Sequence, residues 1–233
     1  MKLKIICVPH AGGSVANYTH FKKYVDENME IKPIELPGRG RRISVPFITR
    51  WEDAVIDLYG QIAEEITEGP YVLFGHSLGS WLVYELYYKI LKEGKPLPVH
   101  IFLSGNVPPK EMIDKNYYTN MSDAVFMERI LIKGGTPKVI FENEALRELF
   151  LPILRADYDL VARYMVTQGR ELMQCNVTLL NGKEDVFERG EIEQWQSYTS
   201  GKTEAYYFEG GHFYLFDIPE QIMGLIKDQV TNY

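Results

Sequence analysis

Tyr71-Val72-Leu73-Phe74-Gly75-His76-Ser77-Leu78-Gly79-Ser80-Trp81 is the stretch that decides the fold: four consecutive apolar residues run into a G-x-S-x-G turn, and an amphipathic segment follows to Leu91. The apolar run is short and continuous, which is how a strand buried on both faces reads. For such a strand to give way at once to a helix the turn must be sharp. Small residues at 75 and 79 let it pack tightly while Ser77 takes a strained backbone conformation that leaves its Oγ exposed. The reading is a nucleophile elbow; a plain glycine-serine turn between a core strand and its helix is the alternative, and the flanking pattern favours the elbow.

Outward from this stretch, strand-like runs recur at Leu3 to Val8, Ile31 to Leu36, Ile101 to Ser104, Val177 to Leu180 and Ala205 to Phe208. Helical patterns lie between them at Val15 to Asn28, Trp51 to Thr67, Ser80 to Lys92, Glu188 to Tyr198 and Pro219 to Val230. This alternation predicts an α/β protein with a mostly parallel, doubly wound sheet. One segment, about 107–169, has no convincing strand. There Ser122 caps a stretch with Phe126, Met127, Ile130 and Leu131 at helical spacing that stops at Gly134-Gly135, and further patterns run from Glu144 to Phe150 and from Leu154 to Met165. An all-helical insertion over the carboxyl ends of the strands would form a lid above Ser77, with simple extension of the core as the alternative.

The chain has 233 residues, 45% apolar and 24% charged, with a net charge of −7. One domain spanning 1–233 fits that length, and the acidic balance argues against nucleic-acid binding, which needs a basic surface. The N-terminal run Ile5-Ile6-Cys7-Val8 stops at Pro9 and no apolar stretch approaches the ~20 residues of a membrane span, so neither export nor membrane insertion is expected and a cytoplasmic protein is implied. Cys7 and Cys175, both in or beside strands, read as buried reduced thiols rather than a disulfide framework.

A serine hydroxyl needs a base, and the base needs a group to fix its tautomer. After a serine elbow the acid and then the histidine follow in chain order, which sets aside His10, His20 and His76. His100 begins the next strand and leaves no loop for an acid before it; His212, after Gly210-Gly211, is the expected base. The acid belongs in the turn after Val177 to Leu180, where Asp185 fits and Glu184 is its adjacent rival; Asp157 and Asp159 fall in a helical pattern, where structural or solvated carboxylates are the default. Two backbone N–H groups must face the tetrahedral oxyanion. Leu78, directly after the serine, and Ala11, in the loop His10-Ala11-Gly12-Gly13, are the expected donors.

Pro9-His10-Ala11-Gly12-Gly13, Leu36-Pro37-Gly38-Arg39-Gly40-Arg41, Gly75-His76-Ser77-Leu78-Gly79, Leu154-Arg155-Ala156-Asp157-Tyr158 and Gly210-Gly211-His212-Phe213, in this order, resemble the type II thioesterases over nearly the whole chain. The resemblance implies an α/β-hydrolase fold, a triad of Ser77, Asp185 and His212, an oxyanion hole of Ala11 and Leu78, and a mobile helical lid. It further implies hydrolysis of acyl or aminoacyl thioesters from the phosphopantetheine arm of acyl or peptidyl carrier domains, which clears stalled synthases of nonribosomal peptide or polyketide assembly. No metal or bound cofactor is expected, and a monomer is. Arg39, Arg41 and Arg42, after the second strand, are candidates for meeting an acidic carrier domain or the arm's phosphate, a solvated charged loop being the alternative. Phe126, Met127, Ile130 and Tyr158 are candidates for lining the acyl pocket. An esterase or lipase acting on oxygen esters, or a noncatalytic binding protein on the same scaffold, remain the competing classes.

Overall fold

The computed structural model describes residues 1–109 and 120–231. Six strands, β1 (Leu3–Val8), β2 (Met29–Pro33), β3 (Tyr71–His76), β4 (His100–Ser104), β5 (Asn176–Gly182) and β6 (Thr203–Phe208), form one sheet in the order β2-β1-β3-β4-β5-β6, every pair parallel. The central strands β1, β3 and β4 are buried at every position, which accounts for their continuous apolar runs. Strand order reverses between β1 and β3, and at such a switch point the loops leaving the two strands diverge and open a crevice.

Helices cover both faces. On one side α1 (Trp51–Ile62) and α2 (Leu78–Lys92) pack on the sheet through Leu58, Ile62, Leu82 and Leu86; on the other, Tyr18, Phe21 and the helix that closes the described chain, Pro219–Val230, cover Ile5, Val72 and Phe74. The predicted helix from Val15 to Asn28 is instead two short 3-10 turns, Val15–Tyr18 and His20–Tyr24, the first closed by Ser14, whose side chain accepts from the Ala16 N–H. Likewise β2 runs two residues earlier than the sequence indicates. Ile34 still donates its N–H to the Cys7 carbonyl but lies past the last paired residue, and both it and Leu36 are buried in the main core, so an apolar run read as strand continues beyond the paired register.

The insertion between β4 and β5 is helical among the described residues: α3 (Asp123–Lys133), α4 (Val139–Glu142) and α5 (Glu144–Arg163). Residues 110–119 of the predicted segment lie outside the described ones. Ser122 caps α3 as predicted, its Oγ accepting from the Val125 N–H. The two stretches expected from Glu144 to Met165 are a single helix, continuous through Pro152. This helix serves two cores. Leu154 and Tyr158 pack with Phe126, Ile130 and Phe141 in a small cluster of the insertion's own, whereas Leu160 joins the main core, followed just past the helix by Tyr164, whose ring lies 4.2 Å from that of Trp51. After the insertion α6 (Arg189–Glu193) follows β5, and Pro219–Val230 is α7.

Candidate active site

The elbow is held by contacts that its residue types permit. Ser77 has φ 56° and ψ −118°, and among the described residues it is the one non-glycine with positive φ. That conformation costs on the order of 1–3 kcal/mol and persists only when neighbours over-determine it. They do: the Ser77 N–H donates to the Ser104 carbonyl at 2.8 Å, its carbonyl accepts from Asn106 Nδ2 at 2.9 Å, and Ser80 Oγ ties the Gly75 and Ser104 carbonyls together. A Cβ on Gly79 would sit 2.1 Å from the Val8 carbonyl oxygen, so only glycine lets the first turn of α2 lie against the end of β1.

Two loops at the same sheet edge bring the other groups in. Asp185 follows β5 and His212 follows β6, and the loops are laced together: Lys183 and Glu184 donate their N–H groups to the carbonyls of Phe208 and Gly210. A Cβ on Gly182 would meet the Gly211 carbonyl oxygen at 2.3 Å, so this lacing also depends on a glycine. The outcome is a chain of contacts, Asp185 Oδ2 to His212 Nδ1 at 2.8 Å and His212 Nε2 to Ser77 Oγ at 2.9 Å. The histidine and acid side chains are almost sealed from solvent. Glu184 is exposed and contributes only its backbone, so the structure brings Asp185, not its neighbour, to the imidazole.

Burial lowers the pKa of His212 from its ordinary value; the positive charge of Lys133 adds to this, and the hydrogen bond to Asp185 opposes it. The neutral form that can take a proton from Ser77 is thereby favoured. His76 and His10 lie beside it, with the His76 ring 5.0 Å from that of His212 and 5.8 Å from that of His10. Neither reaches Ser77: His76 Nδ1 pairs with Ser104 Oγ at 2.9 Å, and the His10 ring stands edge-on to Phe213 at 4.9 Å. His20 is exposed, and His100 pairs with Thr178 Oγ1 from the start of β4. Setting aside His10, His20 and His76 on chain order, and His100 for its place at the start of a strand, agrees with where the four stand.

The loop after β1 presents its amides one by one. The Gly12 N–H donates to Asp157 Oδ2 at 2.6 Å and the Gly13 N–H to the His10 carbonyl, whereas among the described residues the N–H groups of Ala11 and Leu78 have no acceptor. Leu78 also opens α2, so the positive end of the helix dipole faces the same space. Beside the triad a cavity of ≈ 880 Å³ is lined by α3 residues from Val125 to Lys133, by Glu184, Asp185, Val186 and Phe187, and by Gly211 and His212. A second hollow of ≈ 420 Å³ adjoins the Ala11 loop and takes its apolar wall from Ile140, Phe150 and Leu154.

Several expectations require correction. Arg39 does not face a partner: it is 3% exposed and forms a bidentate pair with Asp157 at 2.5 and 2.6 Å. Arg42 is held by Asp57 through two bonds of 2.6 Å and by the Glu35 carbonyl. Guanidinium groups so engaged have few donors left for a phosphate. Arg41 is exposed, but it lines a hollow at the β2 edge with Val15, Thr19 and Lys22, away from the triad. Phe126, Met127, Ile130 and Tyr158 line neither cavity; they form or flank the insertion's own core, because an apolar stripe at helical spacing buries inside the insertion while the adjoining flank of α3, with Val125, Arg129, Ile132 and Lys133, meets the site. Sequence reasoning missed Asn106 and Lys133 as residues of the site's surroundings and set Asp157 aside as a structural or solvated carboxylate. Asn106 gave a signal, as a polar residue at the carboxyl end of an apolar strand, and Asp157 gave one as part of the Leu154 to Tyr158 string.

An all-parallel sheet whose third strand ends in a serine elbow, with the acid after the fifth and the histidine after the sixth, is the α/β-hydrolase architecture. The model of the family described as Thioesterase domain matches residues 3–230, so the chain belongs to the thioesterase family. Gramicidin S biosynthesis protein GrsT of Aneurinibacillus migulanus is 26% identical over 230 residues, covering 98% of this chain and 89% of that protein. The medium-chain S-acyl fatty acid synthase thioesterase of Rattus norvegicus is 30% identical over 226 residues, covering 91% and 81%. The crystal structure of ClbQ from the colibactin NRPS/PKS pathway matches with a TM-score of 0.91 and 32% identity, covering 99% of this chain and 98% of that one. The resemblance to type II thioesterases drawn from the five sequence strings is borne out.

Proposed function

We propose that this protein hydrolyses acyl or aminoacyl thioesters carried on the phosphopantetheine arm of a carrier domain, with Ser77 as nucleophile, His212 as base and then acid, and Asp185 as the group that fixes and stabilises the imidazole. The observation that carries this reading is the unbroken line from Asp185 through His212 to Ser77 Oγ, with contacts of 2.8 and 2.9 Å, in a chain of the thioesterase family. The names of relatives from gramicidin S and colibactin pathways support a synthase as the partner.

In the cycle, His212 Nε2 accepts the Ser77 proton as Oγ attacks the thioester carbonyl carbon. The tetrahedral oxyanion is met by the Ala11 and Leu78 N–H groups. Collapse breaks the C–S bond, the imidazolium protonates the departing pantetheine sulfur, and an acyl-serine ester remains. Water enters, gives its proton to His212, and attacks the ester. Oγ takes the proton back and the free acid leaves. The arm arrives with the substrate, so the cycle calls for no bound cofactor.

Ser77→Ala should abolish hydrolysis of acyl-pantetheine thioesters while leaving the melting temperature near that of the parent, and should stop covalent labelling by a fluorophosphonate. Mass spectrometry of carrier domains loaded with a panel of acyl groups, before and after enzyme, tests reaction and partner together. Retained turnover in Ser77→Ala, or carriers left loaded by the parent protein, would remove the proposal.

A further inference from the structure

Asn106 lies two residues past the end of β4, is 9% exposed, and turns its side chain to two backbone groups at once. Oδ1 accepts from the Val107 N–H at 3.0 Å, and Nδ2 donates to the Ser77 carbonyl at 2.9 Å. The first contact is a local one that an aspartate would serve as well. The second needs an amide, whose NH2 half can donate to a carbonyl. Together they fix which way round the amide stands: reversed, it would set the NH2 against the Val107 N–H and its oxygen against the Ser77 oxygen. The residue is itself clamped from behind. Gly105, at φ 61°, donates its N–H to the Leu180 carbonyl, and the Asn106 carbonyl accepts from Nε1 of the fully buried Trp195 at 3.0 Å.

The Ser77 carbonyl belongs to the same peptide unit as the Leu78 N–H. That unit is planar and trans, so its C=O and N–H point in opposite directions, and a donor that fixes the one aims the other. The Ser77 carbonyl has two such donors, Asn106 Nδ2 and, at 2.9 Å, the Ser80 N–H. Ser80 sits in the first turn of α2 and moves with Leu78, whereas Asn106 comes from the neighbouring strand and ties the peptide to the sheet. Resting on the thioesterase reading above, we propose that Asn106 is a positioning residue for the reaction: it aims the Leu78 N–H at the oxyanion and, by polarising the peptide from its oxygen end, makes that N–H a stronger donor. It acts through the peptide and not on the reacting atoms.

Two variants test this. Asn106→Ala removes both contacts, and Asn106→Asp keeps the shape and the Val107 bond but turns an oxygen toward the Ser77 carbonyl. Both are assayed at pH 8 with the butanoyl thioester of N-acetylcysteamine, and turnover is expressed per serine labelled to completion by a fluorophosphonate, so that a smaller folded fraction does not count as lost catalysis. Losing an oxyanion donor outright costs about 10²–10³ in kcat. With Ser80 still holding the carbonyl, kcat per labelled serine should fall by about tenfold or more in each variant, KM should stay within about twofold, and Asn106→Asp should be no better than Asn106→Ala. A merely structural residue would change how many serines label and leave turnover per serine at the parent value. That result overturns the inference, as do a loss confined to KM, parent-like activity in Asn106→Asp beside an impaired Asn106→Ala, and a failure of both variants to label. If the parent leaves the thioester intact while Ser77 labels, the thioesterase reading fails by itself. The role of Asn106 is then decided by the rate of labelling, which should fall by the same factor, because the phosphoryl oxygen of the probe needs the same donor.

Discussion

At the scale of the residue, the surroundings of His212, the proposed base, favour its neutral form. Burial and the Lys133 charge lower its pKa from 6.5, and the Asp185 hydrogen bond raises it by less. The working form is the neutral imidazole, so activity is present above the folded-state pKa and lost as pH falls through it. The acid limb of kcat/KM, which reports the free enzyme, should therefore lie below 6.5, the ordinary value of the group. A limb at or above that value would show that Asp185 outweighs burial. Asp185→Asn should lower turnover by about 10²–10⁴, the cost of presenting the wrong imidazole tautomer. Glu184→Gln should change it little, because that side chain is exposed and makes no contact with the ring; equal damage from the two substitutions would contradict the pairing of Asp185 with His212.

At the scale of the element, α5 couples the insertion to the loop that carries the Ala11 amide, the proposed oxyanion donor, through one carboxylate. Asp157 pairs with Arg39 on both oxygens and also accepts the Gly12 N–H, one residue from the Ala11 amide. Breaking a buried pair strands the remaining charge and costs about 3–5 kcal/mol, against about 0–1 for a surface pair. Arg39→Met should thus lower the unfolding free energy measured by urea titration by an amount in the larger range. Asp157→Asn should in addition lower kcat more than it raises KM, since a displaced Ala11 amide weakens the transition state rather than substrate binding. A stability loss no larger than that of a surface pair would mean the Arg39 site relaxes into water. This coupling is also where the sequence was least legible. The strands β1, β3 and β4 and the helices α2 and α7 are written in local patterns of two-sided or one-sided burial, and the triad follows from chain order plus the need for a base and an acid. Arg39, in contrast, carries the composition of a solvated loop, and its partner lies 118 residues away. Phe126 and Ile130 have the periodicity of any buried stripe, which says that a face is covered and not whether protein or substrate covers it.

At the scale of the whole molecule, the protein buries neutral histidines well beyond the one the proposed reaction uses. Burial pushes the pKa of His10 down to about 3 and that of His100 to about 4, and lowers His76 well below its usual range. In the unfolded chain each titrates near 6.5. The unfolded state therefore binds protons that the folded state refuses, and stability that is full above about pH 6.5 declines as pH falls through that value toward the folded pKa values. Carboxylates such as Glu65 and Asp26, whose folded pKa values are lowered, act only below their ordinary values of 4.5 and 3.8, so the interval above pH 5 belongs to the imidazoles. His100 isolates the effect, because it sits at the start of β4, bonded to Thr178 and stacked on Phe102, at the far end of the sheet from Ser77. Urea unfolding at pH 7.5 and 5.5 should show the parent losing stability on acidification, and His100→Gln losing about 1.4 kcal/mol less across the same interval, the free energy of one pH unit for one proton. Equal losses in the two proteins would mean that His100 takes its proton in the folded state, with Glu204, whose charge raises its pKa, acting as counterion against the burial that lowers it.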